Sequence, residues 1–416
     1  MIIQPRQPQS ACVQVPGSKS LSHRFLIAAA LADGESMIQN CLISEDTRLT
    51  MDALKQMGVI IEKANDQILV KGKNGCLAES DKPIFLGNSG TSLRLLCALA
   101  ALGQGTYTIT GTKRMQQRPI QDLLDGLQMI HVPAEALNGD GCPPVQIQGG
   151  RTTGGATDLR CGKSSQYLSA MLLIAPCTRD GIKIRVTEGP VSKPYVAMTL
   201  HVMERFGIRV EHYGHQHFWV AGTQKYRSGS HTVEPDCSQA SYFWASAAIT
   251  RGDVKVLNTH ADMLQGDIRL LQLLESMGCR VLVESDGIRV AGGRLRAIEA
   301  DMSDLPDMVP TIAVIAAFAD GKTHIHNIEH LRIKESNRIE AVVAQLTKMG
   351  IEVVDTGDGL EVLGGNPHGA IIDTYNDHRI AMSFAIAGMK VPGVEIVDPG
   401  CVAKSFPDFW QVLEQL

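Results

Sequence analysis

Six times along the chain, a start of small or polar residues opens a run that turns almost wholly apolar, usually passes a glycine and continues as an alternating strand. The copies open near Ser18, Ser89, Ser164, Ser238, Leu305 and Asn376, at steps of 71, 75, 74, 67 and 71 residues. Each predicts an exposed loop feeding a buried helix. A second signature keeps the same interval: an amphipathic helix ending in Met-Gly or Phe-Gly, then a strand. It reads DALKQMGVIIE, HVMERFGIRVE, LLESMGCRVLVE and QLTKMGIEVV, with LLDGLQMIHV a degenerate member. Gly58, Ile130, Gly207, Gly278 and Gly350 stand 72, 77, 71 and 72 residues apart, and the closing FWQVLEQL reads as a sixth copy cut off before its glycine. Units of two helices and several strands need neighbours to cover their apolar faces. Few, large units predict compact lobes rather than an open solenoid.

A chain of 416 residues exceeds what one core usually supports, and six units divide as three and three. The alternating segment ACVQVPG predicts a strand belonging to the lobe that receives the C-terminus. The lobe boundary is expected at HTVEPDCSQ, giving one lobe over 18–234 and another over 1–17 with 235–416. Pro143, Pro144 and the GGRTTGG run at 149–155 mark turns. Two crossings of the chain, near Gly17 and Pro235, predict a hinge, and a cleft between lobes is the usual place for a ligand.

Composition changes this picture little. A net charge of −5 argues against a general nucleic-acid binder. The 10 cysteines form no CxxC pair and no secretory signal precedes them, so reduced thiols in a cytoplasm are expected. Apolar runs such as Ile312–Ala319 fall short of the roughly 20 residues that span a bilayer.

The chemistry gathers at the helix starts. Ser18 and Ser20 are candidate caps, and Lys19 and Arg24 add positive charge to a terminus that already favours anions. Asn88, Gly90, Thr91 and Arg94 open the second copy, Ser164, Ser165 and Gln166 the third, Asp236 and Ser238 the fourth, Asp307 the fifth, and Asp377, His378 and Arg379 the sixth. Aimed at one cleft, these starts predict a strongly anionic small ligand. Arg114 and Arg118 in RMQQRP, Arg332, Lys334, Glu335 and Arg338 in LRIKESNRIE, and Lys404 in CVAKSFPD reinforce that expectation. If LRIKESNRIE is helical, Lys334 and Arg338 share a face, and Glu335 beside them joins Asp307 as an acid/base candidate. His212, His215 and His217 read as exposed hairpin residues rather than metal ligands, and His324 and His326 likewise. The absence of GxGxxG and GxxxxGK[ST] removes the main support for dinucleotide and P-loop readings.

Together, PGSKSLSHR, LGNSGTSLR, RMQQRPI, SSQYLSAMLL, VSKPY, LPDMVPT, LRIKESNR, YNDHRIAM and AKSFPDFW, in that order over nearly the whole chain, resemble the EPSP synthases. These are the 3-phosphoshikimate 1-carboxyvinyltransferases among the enolpyruvyl transferases. The resemblance implies an α/β fold of two lobes, each of three βαβαββ units (an inside-out α/β barrel), closing on two substrates without metal or cofactor. It implies shikimate 3-phosphate held by Lys19, Ser20, Arg24, Ser164, Ser165, Gln166, Ser192, Tyr195, Asp307, His330 and Lys334. Phosphoenolpyruvate would lie against Lys19, Asn88, Gly90, Arg118, Gln166, Arg338, Arg379 and Lys404. Asp307 is implied as the base near the 5-hydroxyl and Glu335 as the proton carrier, with Lys19, His378 and Lys404 sharing the proton work.

The same resemblance implies a cytoplasmic monomer of the shikimate pathway to chorismate and aromatic amino acids, with no nucleic-acid or membrane partner. It also implies inhibition by glyphosate, for which Gly90 leaves room. Three positions depart from the family pattern: His330 stands for a frequent Asn, Asn337 for a common Asp and Leu95 for a frequent Pro. The nearest enzyme rival, UDP-N-acetylglucosamine enolpyruvyl transferase, typically carries a cysteine in the loop that here reads GTKRMQQRPI. A catalytically silent anion-binding scaffold would need the cations but not the carboxylates Asp307 and Glu335.

Overall fold

The computed structural model describes residues 1–64, 67–150 and 152–416, which leaves Arg151 of the Gly/Thr-rich run outside the described residues. The chain forms two compact units, Gly17–Glu234 and Met1–Pro16 with Pro235–Leu416.

One repeat shows how the pattern folds. Strand Ile84–Phe85 leads into helix Gly90–Ala100, which returns the chain as strand Thr106–Thr110, parallel to the first. A parallel pair needs such a crossover, whereas a hairpin suffices for antiparallel partners. After helix Gln121–Met129, strands Ala134–Ala136 and Val145–Gln148 add antiparallel partners by a hairpin. The third repeat repeats this order with Gly155–Arg160, Ile182–Glu188, His217–Val220 and Glu211–Tyr213. The first repeat borrows its parallel edge from the far end of the unit, where Ser230–Thr232 pairs with Glu35–Gln39. The unit therefore closes on itself.

The other unit follows the same rule. Strand Ala11–Val13 lies parallel to Asp253–Leu257, with Ala11 opposite Val254. Strands Gly287–Ala291 and Arg280–Glu284 complete that sheet, and a second one comprises Glu299–Asp301, Lys322–His326, Leu360–Leu363 and Glu352–Asp355. The last repeat keeps only the parallel pair Ile371–Ile372 and Glu395–Ile396, then ends in the short helix Phe409–Leu413.

Within each unit, three helices are buried on every side, as sequences without a polar face require. In helix Lys19–Leu31 every residue but Ser20 is buried; in Gly90–Ala100 every residue but Thr91; in Gln166–Ile174 every residue but Gln166. The three exceptions all sit in a first turn, so these helices open at their N-terminal ends. Helices Cys237–Thr250, Val309–Ala316 and His378–Gly388 are buried throughout. The Ser241, Ser246 and Thr250 hydroxyls turn back onto the backbone, as when Thr250 donates to the Ser246 carbonyl at 2.6 Å, which spares a buried polar group the cost of an unmade bond. The outer helices bury one stripe each. Arg338–Lys348, for example, buries Ile339, Ala341, Val342 and Leu346.

The Met-Gly signature marks helix ends at which the chain needs a left-handed residue. Gly58, Gly207, Gly278 and Gly350 have φ of 83°, 82°, 105° and 79°. In the degenerate copy that role falls to His131, at φ 63°, one residue after the Ile130 that the spacing singles out. A non-glycine pays about 1–2 kcal/mol there, partly offset by the chain entropy that glycine would lose. His131→Gly is therefore expected to stabilise the protein by about 0.5–1 kcal/mol and Gly207→Ala to destabilise it by about 1–2 kcal/mol, read as opposite shifts of the urea midpoint. The added methyl of Gly207→Ala also meets Arg227 Cδ at 3.1 Å.

Candidate active site

In the Gly17–Glu234 unit, the open ends of two of the three buried helices carry cations and that of the third carries Gln166. The Ser18 hydroxyl caps the first helix by accepting from the Leu21 amide, and Ser20 lies inside the helix, so the cap is Ser18 alone. Lys19 pairs with Asp46 at 3.1 Å, both largely buried. One turn on, Arg24 is completely buried. It donates to Thr199 Oγ1 at 2.7 Å, to the Ser20 and Tyr195 carbonyls at 2.8 and 3.1 Å, and to Ser169 Oγ at 3.3 Å. All these partners are neutral, and burial pulls the guanidinium pKa down to about 10. A buried cation held only by neutral oxygens is stabilised by any anion brought to it.

The network continues across the unit. Arg94 donates to the Gly90 carbonyl at 3.1 Å and to Gln166 Oε1 at 3.3 Å, and lies 5.8 Å from the Tyr167 ring centroid. Gln166 in turn donates to Thr91 Oγ1 at 2.9 Å, tying two helix starts together. Arg118 reaches the Asn88 carbonyl at 2.9 Å. Ser165 donates to the Ser192 carbonyl at 3.3 Å, and Ser192 is held at φ 55° with its buried hydroxyl lacking a partner among the described residues. A methyl group on Gly90 would come within 2.5 Å of Arg94 Nη1 and closer still to Arg118 Nη2. Glycine therefore lets these guanidiniums approach the backbone, and a methyl there would push them aside.

In the other unit, the organising side chain is Arg338, 2% exposed. Its guanidinium binds Asp377 through Nε at 2.8 Å, Asp307 through Nη1 at 2.7 Å and Glu335 through Nη2 at 2.8 Å. Asp307 bridges to a second arginine, with Arg379 Nη2 at 2.8 Å from its other oxygen. Arg379 also donates to the hydroxyl of Tyr242 at 3.2 Å, and burial raises that phenol to about 12, so it stays neutral. Asp377, fully buried, caps the last central helix by accepting from the Arg379 amide at 2.9 Å and receives the Ser336 hydroxyl at 2.9 Å. One carboxylate thus fixes both a helix start and an arginine.

LRIKESNRIE is not one helix. A 3₁₀ turn over Glu329–Ile333 stops before Lys334, whose backbone is extended, and the next helix starts at Arg338. Asn337 caps that helix by accepting from the Glu340 amide at 3.4 Å, which breaks the expected Lys334–Arg338 face. An Asn performs this capping role as well as an Asp does. His330 is 8% exposed and its Nε2 has no hydrogen-bond partner among the described residues. Burial, with Lys334 and Arg338 adding to it against Asp307, depresses the imidazole to about 3. Leu95 lies mid-helix and buried, away from the helix start.

Of the residues singled out in the sequence, Lys19, Ser20, Arg24, Asn88, Gly90, Arg118, Ser164, Ser165, Gln166, Ser192 and Tyr195 lie in the first unit. Asp307, His330, Lys334, Glu335, Arg338, His378, Arg379 and Lys404 lie in the second. Lys404, 5% exposed, ends the 3₁₀ turn Pro399–Lys404 that packs on the last central helix. Asp46, Ser336 and Tyr242 went unnoticed in the sequence, since each meets its partner over 27, 41 and 137 residues of chain. His212 and His217 lie at exposed positions of a hairpin, whereas His324 and His326, expected on a hairpin too, lie on strand Lys322–His326 between a parallel and an antiparallel partner, because a helix rather than a turn follows that strand. Among the described residues, no group of three or more His, Cys, Asp or Glu side chains is placed to hold a metal ion.

Comparison with known proteins agrees over the full length. Residues 3–413 match the family model of EPSP synthase (3-phosphoshikimate 1-carboxyvinyltransferase). A 3-phosphoshikimate 1-carboxyvinyltransferase of Syntrophobacter fumaroxidans is 46% identical, covering 100% of this chain and 99% of the relative. A chloroplastic one of Arabidopsis thaliana is 40% identical, covering 100% of this chain and 84% of the relative. Among solved structures, an EPSP synthase of Acinetobacter baumannii superimposes with a TM-score of 0.83 at 28% identity, covering 100% of this chain and 97% of that one. The enolpyruvyl transferase NikO of Streptomyces tendae, 20% identical with a TM-score of 0.81 and coverage of 100% and 96%, shares the fold. With its family model matched from end to end and its sequence this close to theirs, the chain belongs to the EPSP synthase family.

Proposed function

We propose that the two clusters serve one reaction: transfer of the carboxyvinyl group of phosphoenolpyruvate to the 5-hydroxyl of shikimate 3-phosphate, with release of phosphate. The observation that carries this reading is the pairing of Asp307 with both Arg338 and Arg379. A merely anion-binding protein needs the cations but not a part-exposed carboxylate on them, whereas a transferase needs a base beside them.

In the reaction, Asp307 takes the proton of the 5-hydroxyl as its oxygen bonds to C2 of phosphoenolpyruvate, and Glu335 protonates C3. The resulting tetrahedral ketal phosphate then loses the C3 proton and expels phosphate, restoring the double bond. Lys19, His378 and Lys404 complete the proton transfers. Arg24 with Lys19, Ser20, Ser164, Ser165, Gln166, Ser192, Tyr195, His330 and Lys334 holds the phosphorylated ring acid. Asn88, Gly90, Arg118, Arg338, Arg379 and Lys404 hold phosphoenolpyruvate. Substrate anions replace Asp307 and Glu335 on the guanidinium of Arg338, so a carboxylate becomes basic only when its substrate has arrived. Fixed guanidiniums stabilise the departing phosphate without reorganising at the moment of reaction.

The testing experiment follows phosphate release from purified protein given phosphoenolpyruvate with either shikimate 3-phosphate or UDP-N-acetylglucosamine. Release with the shikimate alone is expected; release only with the UDP-sugar would overturn the assignment, and none with either would leave a silent scaffold. A cytoplasmic monomer without metal or cofactor belongs to the same proposal, and size exclusion near the 45.0 kDa of one chain checks the oligomeric state.

Asp307→Ala and Glu335→Ala are each expected to lower kcat by about 10²–10⁴-fold with the fold intact by circular dichroism, although each also takes a carboxylate from the buried Arg338 and so lowers the unfolding midpoint. Asp377→Ala, by contrast, strips a buried arginine of a partner and is expected to cost about 3–5 kcal/mol of stability, measured by urea unfolding. Gly90→Ala is expected to raise KM for phosphoenolpyruvate and to relieve glyphosate inhibition, because the methyl displaces the two guanidiniums. Since His330 is neutral throughout the working range, His330→Asn is expected to change KM for shikimate 3-phosphate and leave the pH profile of kcat between about pH 6 and 9 unchanged.

A further inference from the structure

Against helix Cys237–Thr250, whose Tyr242 accepts from Arg379 one turn beyond Ser238, packs a further carboxyl, Asp267, on the 3₁₀ turn Gly266–Arg269 and 5% exposed. The Ser238 hydroxyl donates to Oδ2, and Oδ1 is buried with no hydrogen-bond partner among the described residues. A buried carboxylate with one bare oxygen is costly, whereas the protonated acid has a smaller charge penalty. Charged groups on three elements around it add to the balance. The Cys237–Thr250 helix presents Ser238 and, at its cap, Asp236; the turn Pro306–Met308 presents Asp307; the last central helix presents Arg379. On its own turn Arg269 is engaged by Asp304 at 3.4 Å. Burial first, then Asp307, push the Asp267 carboxyl from 3.8 up to about 7, against the opposing pull of Ser238 and Arg379. Both charge states are thus within reach near neutral pH.

We propose that Asp267 is a positioning residue of this site: protonated, it leaves Arg379 to Asp307 and the incoming anion, and ionised, it competes with both for the charge of that arginine. The proposal rests on the reading that Arg338 and Arg379 receive an anionic substrate. An arriving anion further disfavours the Asp267 carboxylate, so loading the site takes up a proton from solvent onto Asp267. Free protein above neutral pH then binds phosphoenolpyruvate less well, because that proton must first be recovered.

Asp267→Asn keeps the shape and cannot ionise, so it separates this role from packing. In wild-type protein, kcat/KM for phosphoenolpyruvate, which reports groups of the free enzyme, is expected to fall severalfold between about pH 6 and 8.5 with an inflection near 7. In Asp267→Asn that inflection is expected to vanish. Unfolding without substrate supplies an independent arm. Because the folded-state pKa is raised, wild-type stability is eroded as pH rises from the unfolded value towards the folded one and then levels. The Tm advantage of Asp267→Asn is therefore expected to grow between about pH 4 and 7 and to stay constant above. Wild-type protein that releases no phosphate sinks the proposed function itself. A wild-type enzyme that turns over with the same pH profile as Asp267→Asn overturns this inference, as does a Tm difference that does not change with pH.

Discussion

A helix buried on all sides cannot leave its end amides to water, and that constraint shapes both units of this protein. The side-chain solution is polar residues at the buried starts: Ser18, Asp236 and Asp377 each cap a central helix with a side-chain oxygen. In the Gly17–Glu234 unit, the first turns are also the only parts of the central helices that escape full burial. Stability and chemistry therefore meet at the same ends. Three apolar helices per unit supply the core, and the polar residues at their starts make that burial tolerable.

The two units solve the charge problem in opposite ways. Arg24 and Arg94 donate to hydroxyl, amide and carbonyl oxygens, so positive charge is left over for an anion. Arg338 and Arg379 hold carboxylates instead. Of these, Asp377 is wholly buried and committed to a helix cap, while Asp307 keeps 21% of its side chain exposed. The difference sorts a structural carboxylate from one that can exchange. In the proposed reaction Asp307 is the carboxylate that a substrate anion replaces, and Asp377 stays in place.

Much of this was legible in the sequence because the repeat is written twice, once in the apolar runs and once in the glycines that end the outer helices. The division into repeats and the burial of the runs follow from composition on every helical face. The site was legible where its residues crowd a helix start, as Lys19 and Arg24 do. What escaped was the isolated residue whose partner lies far along the chain, such as Asp46 under Lys19 or Tyr242 beside Arg379. The reading of LRIKESNRIE as a helix failed for a local reason that was on view: Asn337 followed three residues later by Glu340 is a helix-start signature, and it places Lys334 and Glu335 before the helix. His131 shows the converse, a position where geometry calls for glycine and the sequence supplies another residue.

The proposed reaction depends on substrate anions displacing the protein's own carboxylates from Arg338. A crystal structure with shikimate 3-phosphate and glyphosate bound tests this directly. It is expected to show a ligand oxygen on the Arg338 guanidinium, Asp307 moved off its Nη1 and Asp377 still in place. Arg338 retaining Asp307, Glu335 and Asp377 together, with both ligands seated elsewhere, would contradict it.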